Sequence, residues 1–208
     1  MNTYSLCSLT ATALLAVSPL ALAGSQQNAP DQNSMNQKST SMQSQPATAN
    51  SPSATVGTPP QADIQPFEQA KLSLTQAIAK AKEKQQGKTL EARFEVWHGK
   101  PVYFIRTSAN DQLWEGRIDA NTGDLVGQAR TVSTAQLTSM MKRDIKSLDM
   151  TQTGLDQAVD DAESQKGGKV IMAVLQPERK GAPAYDLCLV NNGQFQTAMV
   201  NAKTGQLM

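Results

Sequence analysis

The chain has 208 residues, a formal charge of +1, 4% aromatic residues and a mean hydropathy of −0.42. That length holds one large or two small domains, and so few aromatics exclude packed core throughout. A balanced charge with no Lys/Arg cluster gives no electrostatic case for nucleic acid or an anionic membrane surface.

Residues 1–23 read as a secretory signal. Leu14 to Leu22 is apolar apart from Ser18 and Pro19, and Ala21-Leu22-Ala23 is a small-x-small site that places cleavage after Ala23. The apolar stretch is too short to cross a bilayer as a stable helix. It departs from the usual pattern in having no Lys or Arg before it. The expected location is the periplasm or the exterior. Cys7 does not stand just after the small residues, where a lipid-bearing cysteine would, and its removal leaves Cys188 alone, so no internal disulfide forms. Residues 24–62 are rich in Gln, Ser, Asn, Pro, Thr and Ala. Such a segment buries too little surface to offset its chain entropy and reads as a disordered tail.

The rest of the chain repeats itself. Leu74, Gln76, Ala77, Ala81, Gly87, Lys88 and Ala92 return 81 positions later as Leu155, Gln157, Ala158, Ala162, Gly168, Lys169 and Ala173. Pro101, Tyr103, Ala120, Thr122, Gly123 and Leu125 return 82 positions later as Pro183, Tyr185, Ala202, Thr204, Gly205 and Leu207, so one residue is inserted near Pro177–Lys180. A spacing held this long indicates two copies of one unit.

In each copy a helix comes first. Ser73-x-x-Gln76 and Thr153-x-x-Asp156 offer N-caps, and Leu74, Ala77, Ile78, Ala81 and Leu155, Ala158, Val159, Ala162 form apolar stripes at helical period. Gly87 and Gly168 are expected to cap the helix C-termini. Strands follow at 89–97, 101–107 and 112–120, then 170–176, 184–190 and 194–202, with hairpin turns at His98-Gly99-Lys100 and Asn191-Asn192-Gly193. A last short strand is expected after each Thr-Gly turn. The predicted fold class is α+β: two small modules, each one helix on one face of a three- to four-stranded antiparallel sheet, joined by an amphipathic helix. Leu90, Ala92, Phe94, Tyr103, Ile105, Gly116 and Ile118 are expected to face the helix, as are Ile171, Ala173, Leu175, Tyr185, Leu187, Leu189, Ala198 and Val200.

The capped Leu-x-x-Ala-Ile/Val-x-x-Ala helix, the Tyr-bearing strand pair and the closing Asp/Asn-Ala-x-Thr-Gly turn resemble the PepSY domain, here in tandem. The two modules span residues 66–128 and 149–208, with a helical connector at 129–148. Asn201 replaces Asp119 in the second copy. The resemblance implies a small exported or membrane-tethered domain. The family also occurs in propeptides of thermolysin-like metallopeptidases, hence an expectation of peptidase inhibition or regulation.

No catalytic constellation is present, and the expectation is a non-enzyme with no cofactor and no metal site. His98, the only histidine, falls in a hairpin turn, and no Cys/His ligand spacing, phosphate loop or nucleophile elbow occurs. Asp119, Asn121 and Asp124 hint at calcium, but Arg130 stands where the loop needs Glu, so turn chemistry explains them.

The faces turned away from the helices differ. In the first copy Glu91, Arg93, Glu95, Arg106, Glu115 and Arg117, with Phe104 and Leu113, read as a charge-laced, solvated sheet. In the second, Val170, Met172, Val174, Cys188, Val190, Phe195 and Met199, with Asp186 and Thr197, form an apolar candidate interaction face that should be covered. Residues 134–148, with Leu137, Met140, Met141, Ile145 and Leu148 at helical spacing, are the first candidate lid; a partner or a second copy is the alternative. The leading function is a protein-interaction module acting on an exported peptidase or envelope protein through a sheet face or edge. The second is a soft-metal or small-ligand binder using Met172, Cys188 and Met199.

Overall fold

The computed structural model describes residues 58–177 and 181–208. The signal segment, Cys7, residues 24–57 of the tail and positions 178–180, within the stretch where the repeat changes offset, lie outside the described residues. A 3-10 turn (Gln61–Asp63) leads into helices α1 (Ile64–Glu68) and α2 (Leu74–Lys84), then strands β1 (Lys88–Trp97), β2 (Lys100–Ala109), β3 (Gln112–Asp119) and β4 (Arg130–Ser133). A second 3-10 turn (Thr134–Gln136) precedes helices α3 (Ser139–Asp149) and α4 (Leu155–Lys166) and strands β5 (Lys169–Gln176), β6 (Ala184–Asn191) and β7 (Gln194–Asn201).

Local chemistry starts the two main helices differently. The Ser73 hydroxyl accepts from the Gln76 amide, and the Gln76 side chain accepts from the Ser73 amide, a reciprocal cap on two otherwise unbonded donors. Thr153 does not do the same for α4. Gly154 is the N-cap and has no side chain to offer. Thr153 is held outside the helix because its amide donates to the Ala202 carbonyl, while its own carbonyl accepts from the Tyr185 hydroxyl at 2.8 Å.

The glycines at the helix ends also have other duties than expected. Helix α2 stops at Lys84 with Gln85 extended behind it, and α4 is closed by Gly167 at φ 72°. Gly87 and Gly168 lie beyond the caps, where a strand passes a neighbouring backbone closely. A Cβ on Gly87 would be 2.5 Å from the Ser108 carbonyl oxygen, and one on Gly168 would be 2.5 Å from that of Val190. Both also have positive φ. They are close-approach glycines rather than helix caps.

The strands form one seven-stranded antiparallel sheet in the order β4-β3-β2-β1-β5-β6-β7, not two separate sheets. The two halves join where Glu91, Ala92 and Arg93 pair with Val174, Ala173 and Met172. Each meander's first strand would otherwise be an open edge, and the join removes two edges at once. Both joining strands carry a register shift close to the seam, between Thr89 and Glu91 and between Val170 and Met172.

Helices α2 and α4 lie side by side and antiparallel, tied by Lys82 to Asp156 at 2.6 Å and Thr75 to Asp160 at 2.8 Å. The predicted stripes Leu74, Ala77, Ile78, Ala81 and Leu155, Ala158, Val159, Ala162 are buried in the single core. Burying each leucine or isoleucine contributes about 1.5–3 kcal/mol, which offsets the modest propensity of such short helices.

The two halves repeat their bonds as well as their residues. Tyr103 donates to the Leu72 carbonyl at 2.6 Å, as Tyr185 does to Thr153. The Ala120 and Ala202 amides donate to the Pro101 and Pro183 carbonyls. Asp119 Oδ1 accepts from the Asn121 and Thr122 amides, and Asn201 Oδ1 accepts from Lys203 and Thr204. His98-Gly99, Asn110-Asp111 and Asn192-Gly193 all take positive φ at both positions, the hairpin geometry whose twist matches the strands. The strands expected after the Thr-Gly turns are reduced to single bridges, Ile118 with Leu125 and Val200 with Leu207.

Candidate interaction surface

The cross-strand register places six of the seven apolar candidates on one face; Val170 lies opposite Leu189 on the helix-facing side, because the register shift before Met172 reverses the alternation. Met172, Cys188 and Thr197 form one row across β5, β6 and β7; Val174, Asp186 and Met199 form the next; Val190 faces Phe195. Val170, Met172, Val174, Cys188 and Val190 are buried, Phe195 is half-buried, and Met199 is 43% exposed. Met199 therefore does not belong to a covered face. It lies on the outermost strand, where its carbonyl accepts from the Met208 amide.

Two chain segments lie near the seam. Helix α3 contacts both β1 and β5, and Lys88 Nζ donates to the carbonyls of Leu148 and Thr151 at 3.1 and 3.2 Å, fixing the helix's C-terminal end to the start of β1. Leu148 is buried and Leu137, Met141 and Ile145 pack against the core, but Met140 is 51% exposed and falls off the stripe. The second segment, Thr58–Asp63, lines a groove with Glu91–Val96 and Met172, and Gln61 Nε2 donates to the Gly193 carbonyl. Pro59 is buried. The end of the predicted tail is thus part of the fold, helped by two prolines whose fixed φ lowers the cost of ordering it.

Cys188 is the one free cysteine among the described residues, and burial pushes its thiol up to about 11. A protonated, enclosed thiol is a packing group rather than a nucleophile. It sits directly across from Met172, while Met199 is in the neighbouring row, on the next strand out from Cys188. Among the described residues no three His, Cys, Asp or Glu side chains converge. His98 is exposed in its turn, with its ring edge-on to Trp97.

The corresponding face of the first half is only partly solvated: Arg93, Glu95 and Arg117 are half-buried, while Glu91, Arg106 and Glu115 are more enclosed. Glu91 is 2% exposed. Its carboxylate takes Arg93 on one oxygen and Arg106 on the other at 2.7 Å, and Arg106 also pairs with Glu115 at 2.8 Å. Arg117 pairs with Glu95 at 2.7 Å. The guanidinium groups of Arg93, Arg106 and Arg117 lie 4.4, 5.3 and 5.3 Å from the centre of the Phe104 ring. With a guanidinium on each carboxylate oxygen, Glu91 is satisfied by charge-assisted bonds, which is why it tolerates burial. Alternation alone counts these side chains as solvent-facing; the row Glu91, Arg106, Glu115, opposite in sign at each step across β1, β2 and β3, is the signal of a lattice.

Strand β4 was also missed. Residues 130–133 were assigned to the helical connector, yet they pair with β3, Arg130 with Glu115 through Ser133 with Gln112. The β-branched Thr131-Val132 after Gly127 was the available cue. The sheet therefore ends differently on its two sides: β4 lies along β3, whereas no described residue pairs with the start of β7.

Comparison with known proteins bears on the first half. The sequence has no significant match among curated proteins. Among solved structures, a candidate lipoprotein of Clostridium difficile 630 is similar over 68% of this chain and 94% of its own, with 21% identity and a TM-score of 0.41. Residues 71–129 match the family model described as "Peptidase propeptide and YPEB domain". That match spans α2 and the β1–β3 meander with its closing turn.

Proposed function

We propose that the protein is an exported, non-catalytic protein-binding module, that residues 149–208 form a second PepSY-like unit, and that the partner is an exported peptidase or another envelope protein. The observation that carries this reading is the outer edge of β7 at Phe195–Thr197, at the side of the sheet opposite β4, to which no described residue pairs. An open edge offers main-chain donors and acceptors to another polypeptide, a general mode of protein and peptide capture. The matching hydrogen bonds of Tyr103 and Tyr185, and of the two Pro-Ala pairs, support the second unit. The signal-like residues 1–23 support export. No helix among the described residues is long and apolar enough to cross a membrane.

Affinity capture tests the reading. The mature chain is used as bait in the exported fraction of its own cells, with captured proteins identified by mass spectrometry and captured peptidases assayed with and without the chain. A saturable protein partner is the expected result. Recovery of no protein above a scrambled-surface control removes the binding role, and a partner whose hydrolytic activity is unchanged at saturation removes peptidase regulation.

A further inference from the structure

We propose that the outer edge of β7 at Phe195–Thr197 takes one antiparallel extended strand of a partner polypeptide, uncharged and with a compact aliphatic residue opposite Phe195. The proposal rests on the protein-binding reading and gives it an address.

The backbone itself shows which groups are on offer. In an antiparallel strand, alternate residues turn their N–H and C=O to opposite sides. On β7 the outward members are identified by their bonds: the Met199 carbonyl accepts from the Met208 amide, and the Asn201 amide donates to the Gln206 carbonyl, each at 2.8 Å. Alternation therefore turns the main-chain groups of Thr197 and Phe195 outward too. On β3 the same pattern holds, with the Arg117 carbonyl accepting from Val126 and the Asp119 amide donating to Asp124. There the next outward residues, Glu115 and Leu113, are taken by Arg130 and Val132 of β4. The chain thus shows on one edge how a strand sits on this scaffold, and the same scaffold recurs at Phe195–Thr197.

Side chains define the chemistry of the occupant. Arg130 of β4 lies 3.9 Å from Glu115. The residue in that position on β7 is Thr197, so a basic residue there has no carboxylate directly opposite it. Val132 lies opposite Leu113, and the equivalent residue here is the half-buried Phe195, with exposed Met199 on the same side of the strand. Strand β7 also lacks what usually protects an edge: it has no charged residue, no proline and no register shift against β6.

The test uses the full mature chain and a capped peptide with the sequence of residues 129–134, in which Arg130 is replaced by Gln. Saturable binding that slows exchange of the Phe195 and Thr197 amides is expected. Methylating the peptide nitrogen of its valine, which removes one main-chain donor and leaves the protein untouched, should weaken binding about tenfold or more. Thr197→Pro should do the same with β6 pairing intact, because that amide points away from β6. No saturable binding, or protection elsewhere, overturns the proposal. A wild-type dimer that Thr197→Pro converts to monomer assigns the edge to a second copy and overturns it. Binding that appears only after residues 24–57 are deleted assigns it to the chain's own tail, with the same consequence. A captured protein that binds wild type and Thr197→Pro equally leaves the protein-binding reading standing and removes this address.

Discussion

Phe104 and Asp186 occupy matching positions in the two halves, and their surroundings are inverted. Phe104 is flanked by Arg93 and Arg117 across the strands, with Arg106 two residues on; Asp186 is flanked by Val174 and Met199, with Cys188 two residues on. The helix-covered faces, by contrast, are built alike, from Ala, Leu, Ile and Val on α2 and α4 against Tyr103 and Tyr185. The backbone and the shared core fix the architecture, and either chemistry is tolerated on the far face provided it is satisfied. In the first half the charges satisfy one another. In the second the apolar residues on β5 and β6 are buried, and Met199 on the outermost strand β7 is left exposed.

The largest break in this comparison should come from Glu91. Glu91→Ala leaves Arg93 and Arg106 without their shared carboxylate and should cost about 3 kcal/mol, read as a shift in the denaturation midpoint. Installing the second half's residues at the paired positions, Glu91→Met with Arg106→Cys, should recover part of that loss, because Arg106 leaves with its carboxylate and Arg93 keeps Glu95, while Glu115 keeps only Arg130. If the double variant is as unstable as the single one, the halves are not interchangeable on this face.

Next come the close-approach glycines, where the halves should respond alike. Gly87→Val and Gly168→Val each force a side chain to within 2.5 Å of a carbonyl oxygen. Each should cost about 2 kcal/mol or more, combining positive φ with overpacking. A loss in one variant only would mean that the backbones do not match there.

A smaller effect separates the halves at the β3 and β7 positions. A Cβ on Gly116 would lie 2.2 Å from the Trp114 ring, while the matching pair in the second half is Ala198 and Gln196. Gly116→Ala should cost about 1–2 kcal/mol and shift tryptophan emission as the ring is displaced. In a Trp114→Gln background the same substitution should be close to neutral, and additive costs would show that the ring is not what the glycine accommodates.

The smallest effect is a pH dependence at the helix pair. Burial raises the Asp156 carboxyl, but the Lys82 ammonium and backbone amides outweigh it and hold it below the ordinary carboxylate range. A depressed folded-state value gives stability that is present above the unfolded value near 4 and is lost as pH falls through the folded one. The pair is partly exposed, so the contribution is small. Asp156→Asn should flatten the acid side of the stability profile slightly, and an unchanged profile would leave the contact without thermodynamic weight.

The sequence by itself determined the local elements: two helices with their apolar stripes, six strands to within two residues at each end, and the hairpin and Asx turns. These depend on neighbouring residues and on periods of two and 3.6, which any short window contains. Only the tertiary structure decided that the two meanders join at Ala92 and Ala173 into one sheet, that Glu91 is buried, that Gly87 and Gly168 pass close to a carbonyl rather than cap a helix, and that Pro59 belongs to the fold. Each of these depends on which backbone comes alongside which, between segments far apart in the chain. A strand's own residues record that it pairs but seldom with what. That no described residue pairs with Phe195–Thr197 on the outer side of β7 is legible only from that pairing.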